Sequence, residues 1–302
     1  MFNISHLNPL RVVIRNPVVL KELRGRMRGA RAFVVLTIYL GLVIFFMALT
    51  YATQIADQSV TSGDLDGGEI GRLLFTVVIY VELFLVMFIT PTVTTNAISG
   101  EHERQTYDLL RTTLLPERAL VGGKLFSALA YIMLLLLATI PLQSIALVFG
   151  GVALNEIIVL QLVLLMTAVF FGAVGIYFSA VTRRTLRANM LTYVVMIAII
   201  IIPVILLLIA EPLVNSGLSS GTNLPFLIIG GIVVAINPAA TMIATQQLLQ
   251  EQQSLWVFKS TLENGTTVTL PMPWTVFTLF YLVMTVIIFV ITTLRLKRID
   301  QD

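Results

Sequence analysis

The stretch LLFTVVIYVELFLVMFITPTVTTNA, residues 73–97, contains a single charged residue, Glu82. A helix rises about 1.5 Å per residue, so about 20 apolar residues are enough to cross the hydrocarbon of a bilayer. The apolar residues do not alternate with polar ones, as they would in a strand of a membrane barrel. We therefore predict a transmembrane helix over 73–97.

The chain contains five further apolar runs that carry no charge. They cover residues 32–53, 125–149, 157–181, 190–210 and 274–294. Hydrophobic residues make up 57% of the chain and charged residues 12%, whereas soluble domains average about 45–50% and about 25%. We therefore predict an all-α polytopic membrane protein with six transmembrane helices in a single domain, 1–302. The absence of cysteine excludes disulfides and Cys-ligated metal centres.

The basic residues lie almost entirely on one side of these spans. Seven precede the first span, four lie between spans two and three, three lie between spans four and five, and three follow the sixth. Only Arg72 and Lys259 fall on the other side. Because basic residues mark the cytoplasmic side of membrane proteins, we expect both termini in the cytoplasm. We expect the protein in a prokaryotic plasma (inner) membrane.

The longest segment on the outer side is the loop 211–273. Within it, residues 224–249 are uncharged and long enough to span, but Pro225, Gly230–Gly231 and Asn237–Pro238 interrupt them. A seventh crossing would place the basic C-terminus outside. We therefore predict a broken, re-entrant helix pair buried against protein, where an interrupted backbone is tolerated. An amphipathic segment on the membrane surface is the alternative.

The sequence ISGEHERQTYDLLRTT, residues 98–113, begins the longest loop on the basic side, residues 98–124, called here the charged loop. Ser99 is a favourable N-cap, and acidic residues after it suit the positive end of a helix. We therefore predict one helix that starts at Ser99 and a second from Pro116 to Lys124. An amphipathic helix at the membrane boundary suits docking of a soluble partner. An ordinary solvated loop is the alternative.

A second amphipathic segment, residues 8–31, precedes the first span. Its apolar side chains can lie on lipid while its basic side chains reach the headgroups, as in an interfacial helix. An Asn-Pro pair provides a cap and a first-turn proline. The residues assigned to this helix are Asn16, Pro17, Lys21, Glu22 and Arg24.

Glu82 is the only charged residue inside a predicted span. A charge at the centre of a span costs at least about 2.5 kcal/mol, so such a residue is a candidate functional site. Glu82 could bond to Gln143 or Tyr80, or could face a translocation pathway together with Gln143. A shallow position near the outer interface is the alternative.

Two of these stretches resemble one family. NPVVLKELRGRMRG, residues 16–29, is similar to the amphipathic N-terminal helix of permease subunits of ABC transporters of the type-2 exporter (ABC-2) class. SGEHERQTYDLLRTTLLPERALVGGK, residues 99–124, is similar to the first cytoplasmic loop of that class. The matching residues are Glu101, Glu103, Gln105, Thr106, Asp108, Leu109 and Leu110. His102, Tyr107 and Leu114 depart from the usual pattern.

The resemblance implies an exporter permease that a separate ATPase subunit drives, with ATP and Mg in that subunit and no cofactor on this chain. It implies a second permease chain, identical or different, with membrane lipids around the pair and no nucleic acid. It also implies that the charged loop forms a cytoplasmic coupling helix seated in the ATPase. The coupling residues would be Glu101, Glu103, Arg104, Thr106, Asp108, Leu109, Leu110 and Arg111.

The residue types exclude a phosphate-binding loop and an intramembrane haem site on this chain. A phosphate-binding loop needs Gly-x-x-x-x-Gly-Lys-Ser/Thr, whereas the sequence around Lys124 lacks the first glycine and the hydroxyl. The two histidines, His6 and His102, lie outside the predicted spans, so they cannot hold a haem within them. A non-transporting membrane anchor of a larger complex is the alternative function.

Overall fold

The computed structural model describes residues 30–60, 67–106, 116–213, 224–261 and 266–299. This part of the chain forms eight helices and one two-stranded sheet. In chain order they are α1 (Ala30–Val60), α2 (Gly67–Glu103), α3 (Glu117–Phe149), α4 (Leu154–Val181), α5 (Thr185–Leu213), α6 (Leu224–Ile236), α7 (Pro238–Gln252), β1 (Val257–Thr261), β2 (Thr267–Pro271) and α8 (Pro273–Ile299).

Six of these helices, α1 to α5 and α8, are long and apolar enough to cross a membrane. The predicted polytopic helical fold with six spans is therefore confirmed. The bent pair α6–α7 would add a seventh only if it crossed as one unit. The predicted interfacial helix, with Asn16, Pro17, Lys21, Glu22 and Arg24, lies outside the described residues.

The helices extend beyond the predicted spans, and this corrects the prediction for the charged loop. α2 has 37 residues, which is about 55 Å of helix and more than the roughly 30 Å of hydrocarbon. No new helix starts at Ser99: this residue lies inside α2, where its hydroxyl donates to the carbonyl of Thr95 at 2.6 Å. Nor is the helix after Pro116 separate, since α3 runs unbroken from Glu117 to Phe149.

The centre of the bundle is α4. It packs against α2, α3, α5, α7 and α8, and its side chains Leu160, Leu164 and Phe171 are fully buried. In contrast, α1 and α5 leave most of their apolar side chains exposed. Lipid gives no hydrophobic driving force between helices, so close packing and hydrogen bonds hold this core together.

Small residues on α4 let α2 approach closely. A Cβ atom added to Gly175 would collide with the Thr94 side chain. One turn further along, the Ser179 hydroxyl oxygen accepts hydrogen bonds from the backbone N–H groups of Ile98 and Ser99, both at 2.9 Å. The contact between α2 and α4 therefore fixes the part of α2 that leads into the charged loop.

We expect Gly175→Ala to lower the melting temperature, because Thr94 or the helices must move to admit the methyl group. Overpacking of this kind costs about 1–3 kcal/mol. The matched control is Gly41→Ala on α1, where an added Cβ meets nothing within 4 Å. Thermal unfolding of both variants in detergent checks the prediction. Equal melting temperatures would show that the α2–α4 contact is not this tight.

α6 and α7 form a helix pair that bends by 119° at Asn237. The side-chain oxygen of Asn237 caps α7 by accepting from the N–H groups of Ala239 and Ala240, at 2.9 and 3.2 Å. Its amide nitrogen donates to the carbonyl of Ile200 on α5 at 2.9 Å, and the Tyr281 hydroxyl on α8 donates to the last carbonyl of α6 at 2.8 Å. The predicted break at Asn237–Pro238 is confirmed, and its polar groups are satisfied by neighbouring helices.

A β-hairpin follows α7 and is absent from our prediction for the loop 211–273. β1 and β2 pair antiparallel, with Lys259 opposite Thr269. The side chain of Gln252, at the end of α7, accepts from the Lys259 N–H at 2.7 Å and donates to its carbonyl at 2.9 Å. The Asn264–Gly265 pair, followed by alternating polar and apolar residues over 267–270, was the sequence signal that could have predicted this hairpin.

The bundle has two chemically different ends. At one, here the basic end, the ends of α2, α4 and α8 meet the start of α3 in a small apolar cluster that includes Ile98, Val121, Ala180 and Leu296. At the other, here the hairpin end, the start of α2 meets the turn between α3 and α4. The fold therefore brings the two ends of the charged loop together at the basic end.

Candidate functional site at the base of the charged loop

The charged loop leaves α2 through a defined helix terminus. The Thr106 N–H donates to the carbonyl of Glu101 at 3.0 Å, and the Gln105 N–H donates to that of His102 at 3.1 Å. Gln105 has a φ of 57°, so these bonds form a Schellman motif with a left-handed residue after the helix. The motif fixes the direction in which the loop departs.

An ion pair joins this terminus to α3. Nζ of Lys124 lies 3.5 Å from Oε1 of Glu101, and the Thr106 hydroxyl donates to the other carboxylate oxygen of Glu101. Lys124 is 2% exposed and Glu101 is 25% exposed. Because the lysine is buried, the pair is less screened than a surface pair. Glu101 therefore connects the start of the charged loop to its end.

A second carboxylate connects the charged loop to α5. Oε1 of Glu103 accepts from the Thr185 N–H at 2.8 Å, at the first residue of α5. A carboxylate at this position satisfies a free helix N–H and stabilises the positive end of the helix. The hydroxyls of Ser99 and Thr185 lie 3.1 Å apart. Displacement of the base of the charged loop (Glu101, Glu103 and Thr106, called here the loop base) would therefore also displace the start of α5.

The structure brings together some of the predicted coupling residues. At the loop base Thr106 contacts Glu101, and Glu103 contacts Thr185 on α5. Arg104 is exposed beside them. The other predicted coupling residues, Asp108, Leu109, Leu110 and Arg111, lie outside the described residues. Sequence reasoning did not pair Lys124 with Glu101 or Thr185 with Glu103, because these partners are 23 and 82 positions apart.

Glu82 occupies a separate site in the middle of the bundle and is fully buried. Oε1 accepts from the amide of Gln143 on α3 at 2.7 Å, and Oε2 accepts from the amide of Gln161 on α4 at 3.1 Å. The predicted bond to Gln143 is thus present, and Gln161 is a partner that we did not predict. A role of Glu82 and Gln143 in a pathway stays a prediction.

Six helices of membrane-spanning length, three of which share a buried polar cluster, define a multi-pass membrane protein. The sequence family described as ABC-2 family transporter protein matches residues 17–301. The chain therefore belongs to this family and is a membrane permease of an ABC transporter. A search of curated proteins found no matching relative.

Proposed function

We propose that the chain is the permease of an ATP-driven exporter and that a separate ATPase subunit, which binds ATP and Mg, drives it through the charged loop. The proposal rests on the side-chain contacts at the loop base. Glu101 joins α2 to Lys124 on α3, and Glu103 joins it to the start of α5. A displacement of the charged loop would therefore move α2, α3 and α5 together.

The charge distribution supports an orientation with both termini in the cytoplasm, and we place the protein in a prokaryotic plasma (inner) membrane. Arg118, Arg183, Arg184 and Lys297 are exposed at the basic end. The positive-inside rule places such an end in the cytoplasm, where an ATPase has access to nucleotide. The charged loop is then presented to that partner.

We place the working unit at two permease chains and two ATPase chains, and the exposure of α1 and α5 leaves surface for a second permease chain. Both helices leave most of their apolar side chains uncovered, so they are available to lipid or to a second chain. With six spans, this chain would supply half of such a pathway. The second chain is a copy of this one or a related permease.

The proposal is tested by isolating the tagged chain from native membranes and assaying ATP hydrolysis in the complex. We expect an ATPase to co-purify, and its rate to be higher with the permease than alone. Leu109→Asp, a charge in the predicted docking segment, should abolish the association, whereas Leu279→Asn on exposed α8 should not. Consistent isolation without an ATPase would instead favour a membrane anchor.

A further inference from the structure

A pocket of about 460 Å³ opens at the hairpin end, between the start of α2, the turn from α3 to α4 and the end of α7. Its polar lining residues are Arg72, Asn155, Glu156, Gln250 and Gln253. The volume falls within the range of about 300–1,000 Å³ that is typical of ligand sites. The pocket is at the opposite end of the bundle from the charged loop, so the proposed coupling does not explain it.

Arg72 supplies a donor to this pocket. Its Nη2 donates to the carbonyl of Gly151 at 2.8 Å, which holds the guanidinium in place. Its Nη1 is buried and has no hydrogen-bond partner among the described residues. A buried guanidinium N–H is costly without an acceptor. Arg72 lines the pocket, so an acceptor that reached Nη1 from the pocket would satisfy this N–H.

Glu156 supplies the opposite charge. Its side chain is 4% exposed, and its Oε1 has no hydrogen-bond partner in the described part of the chain. The residue lies in the first turn of α4, where the helix dipole favours a carboxylate. The two side chains attract each other electrostatically, but Nη1 of Arg72 and Oε1 of Glu156 are both unpaired, so these two atoms are not hydrogen-bonded to each other. The lining of the pocket thus contains one cationic and one anionic side chain, each with a buried atom that has no hydrogen-bond partner among the described residues.

We propose that this pocket binds a zwitterion in which an anionic oxygen and a primary ammonium are separated by a short linker, as in phosphoethanolamine. The anionic oxygen accepts from Nη1 of Arg72, and the ammonium donates to Oε1 of Glu156. A simple anion would be repelled by Glu156, and a simple cation by Arg72, so the pair selects against both. The side-chain amides of Gln250 and Gln253 are available for the remaining polar atoms.

Two sources of this chemistry are possible, a phospholipid headgroup and a free zwitterion such as an amino acid. Exposed apolar side chains lie within two residues of the lining residues in the sequence: Val148 is 87% exposed, Leu154 62% and Ile158 60%. In a membrane these side chains contact acyl chains, so a lipid bound with its headgroup in the pocket would also be held along its tails. A free zwitterion would use only the charged pair.

The experiment is native mass spectrometry of the full chain released from nanodiscs that contain equal amounts of phosphatidylethanolamine, phosphatidylcholine and phosphatidylglycerol. We expect about tenfold preferential retention of the ethanolamine lipid, because choline has no N–H and glycerol has no ammonium. A second arm titrates free phosphoethanolamine and glycine into the detergent-solubilised protein by calorimetry. Retention of the lipid alone identifies a headgroup site, and binding of the free compounds alone identifies a solute site.

Glu156→Gln keeps the shape of the side chain and removes its charge, so it should abolish the preference or the binding. The matched control is Glu69→Gln on an exposed residue at the same end of α2, which should change neither. The lipid comparison on the unaltered protein needs no variant, and it stands even if Glu156→Gln does not fold. Equal retention of the three lipids together with no binding of either free zwitterion would overturn the proposal.

Discussion

Lys124→Met is expected to remove most of the stimulation that the permease gives to its ATPase while leaving the bundle folded. Methionine matches the length of the lysine stem and suits its buried position, but it cannot pair with Glu101. The charged hydrogen bond that is lost is worth about 1.5–3 kcal/mol when buried, and about 1.4 kcal/mol corresponds to a factor of ten. We therefore expect coupled hydrolysis and transport to fall about tenfold, measured in proteoliposomes with the ATPase present.

The matched control is Lys297→Met, the same substitution at an exposed position on α8 at the same end of the bundle. It removes one positive charge without touching the Glu101 ion pair, so coupling should persist. The double variant Glu101→Ala with Lys124→Met should cost less than the sum of the two single changes, because residues in one pair are not additive. A Lys124→Met protein with normal melting and normal stimulation would show that this ion pair does not transmit force.

Glu82→Leu is expected to cause the largest loss of stability. The substitution leaves the buried amide of Gln143 and the half-buried amide of Gln161 without their acceptor. An unsatisfied buried group costs about 1–3 kcal/mol, although hydrogen bonds inside membrane proteins average nearer 0.6 kcal/mol. We therefore expect a total of about 2–4 kcal/mol, seen as a lower midpoint of thermal unfolding in detergent.

Two comparisons separate this structural role from a role in transport. Glu82→Gln keeps the shape and at least one amide hydrogen bond, so its melting temperature should fall only slightly. Phe84→Leu changes an exposed side chain on the same helix and should have little effect. If Glu82→Leu melts like the unaltered protein, the cluster does not hold α2, α3 and α4 together. If Glu82→Gln is stable but does not transport, Glu82 belongs to the pathway.

The local signals for the charged loop were partly misleading. Ser99 and the acidic residues after it form a good N-terminal pattern, yet the same residues are the last turn of α2. Residues N-terminal to Ser99 were already helical, so extending that helix required no new nucleus. Ser99 then bonds to the carbonyl four residues earlier, as a serine inside a helix does. Local pattern alone does not distinguish a helix that begins from one that continues.

The sequence by itself determined the six spans, the break at Asn237–Pro238 and the concentration of basic residues at one end. Each of these follows from neighbouring residues: the length of an apolar run, a proline without an N–H, or a cluster of charges. Only the tertiary structure decided that Glu82 meets Gln161 and that Arg72 and Glu156 line one pocket. These partners are 79 and 84 positions apart, and residues so distant become neighbours only when whole helices pack.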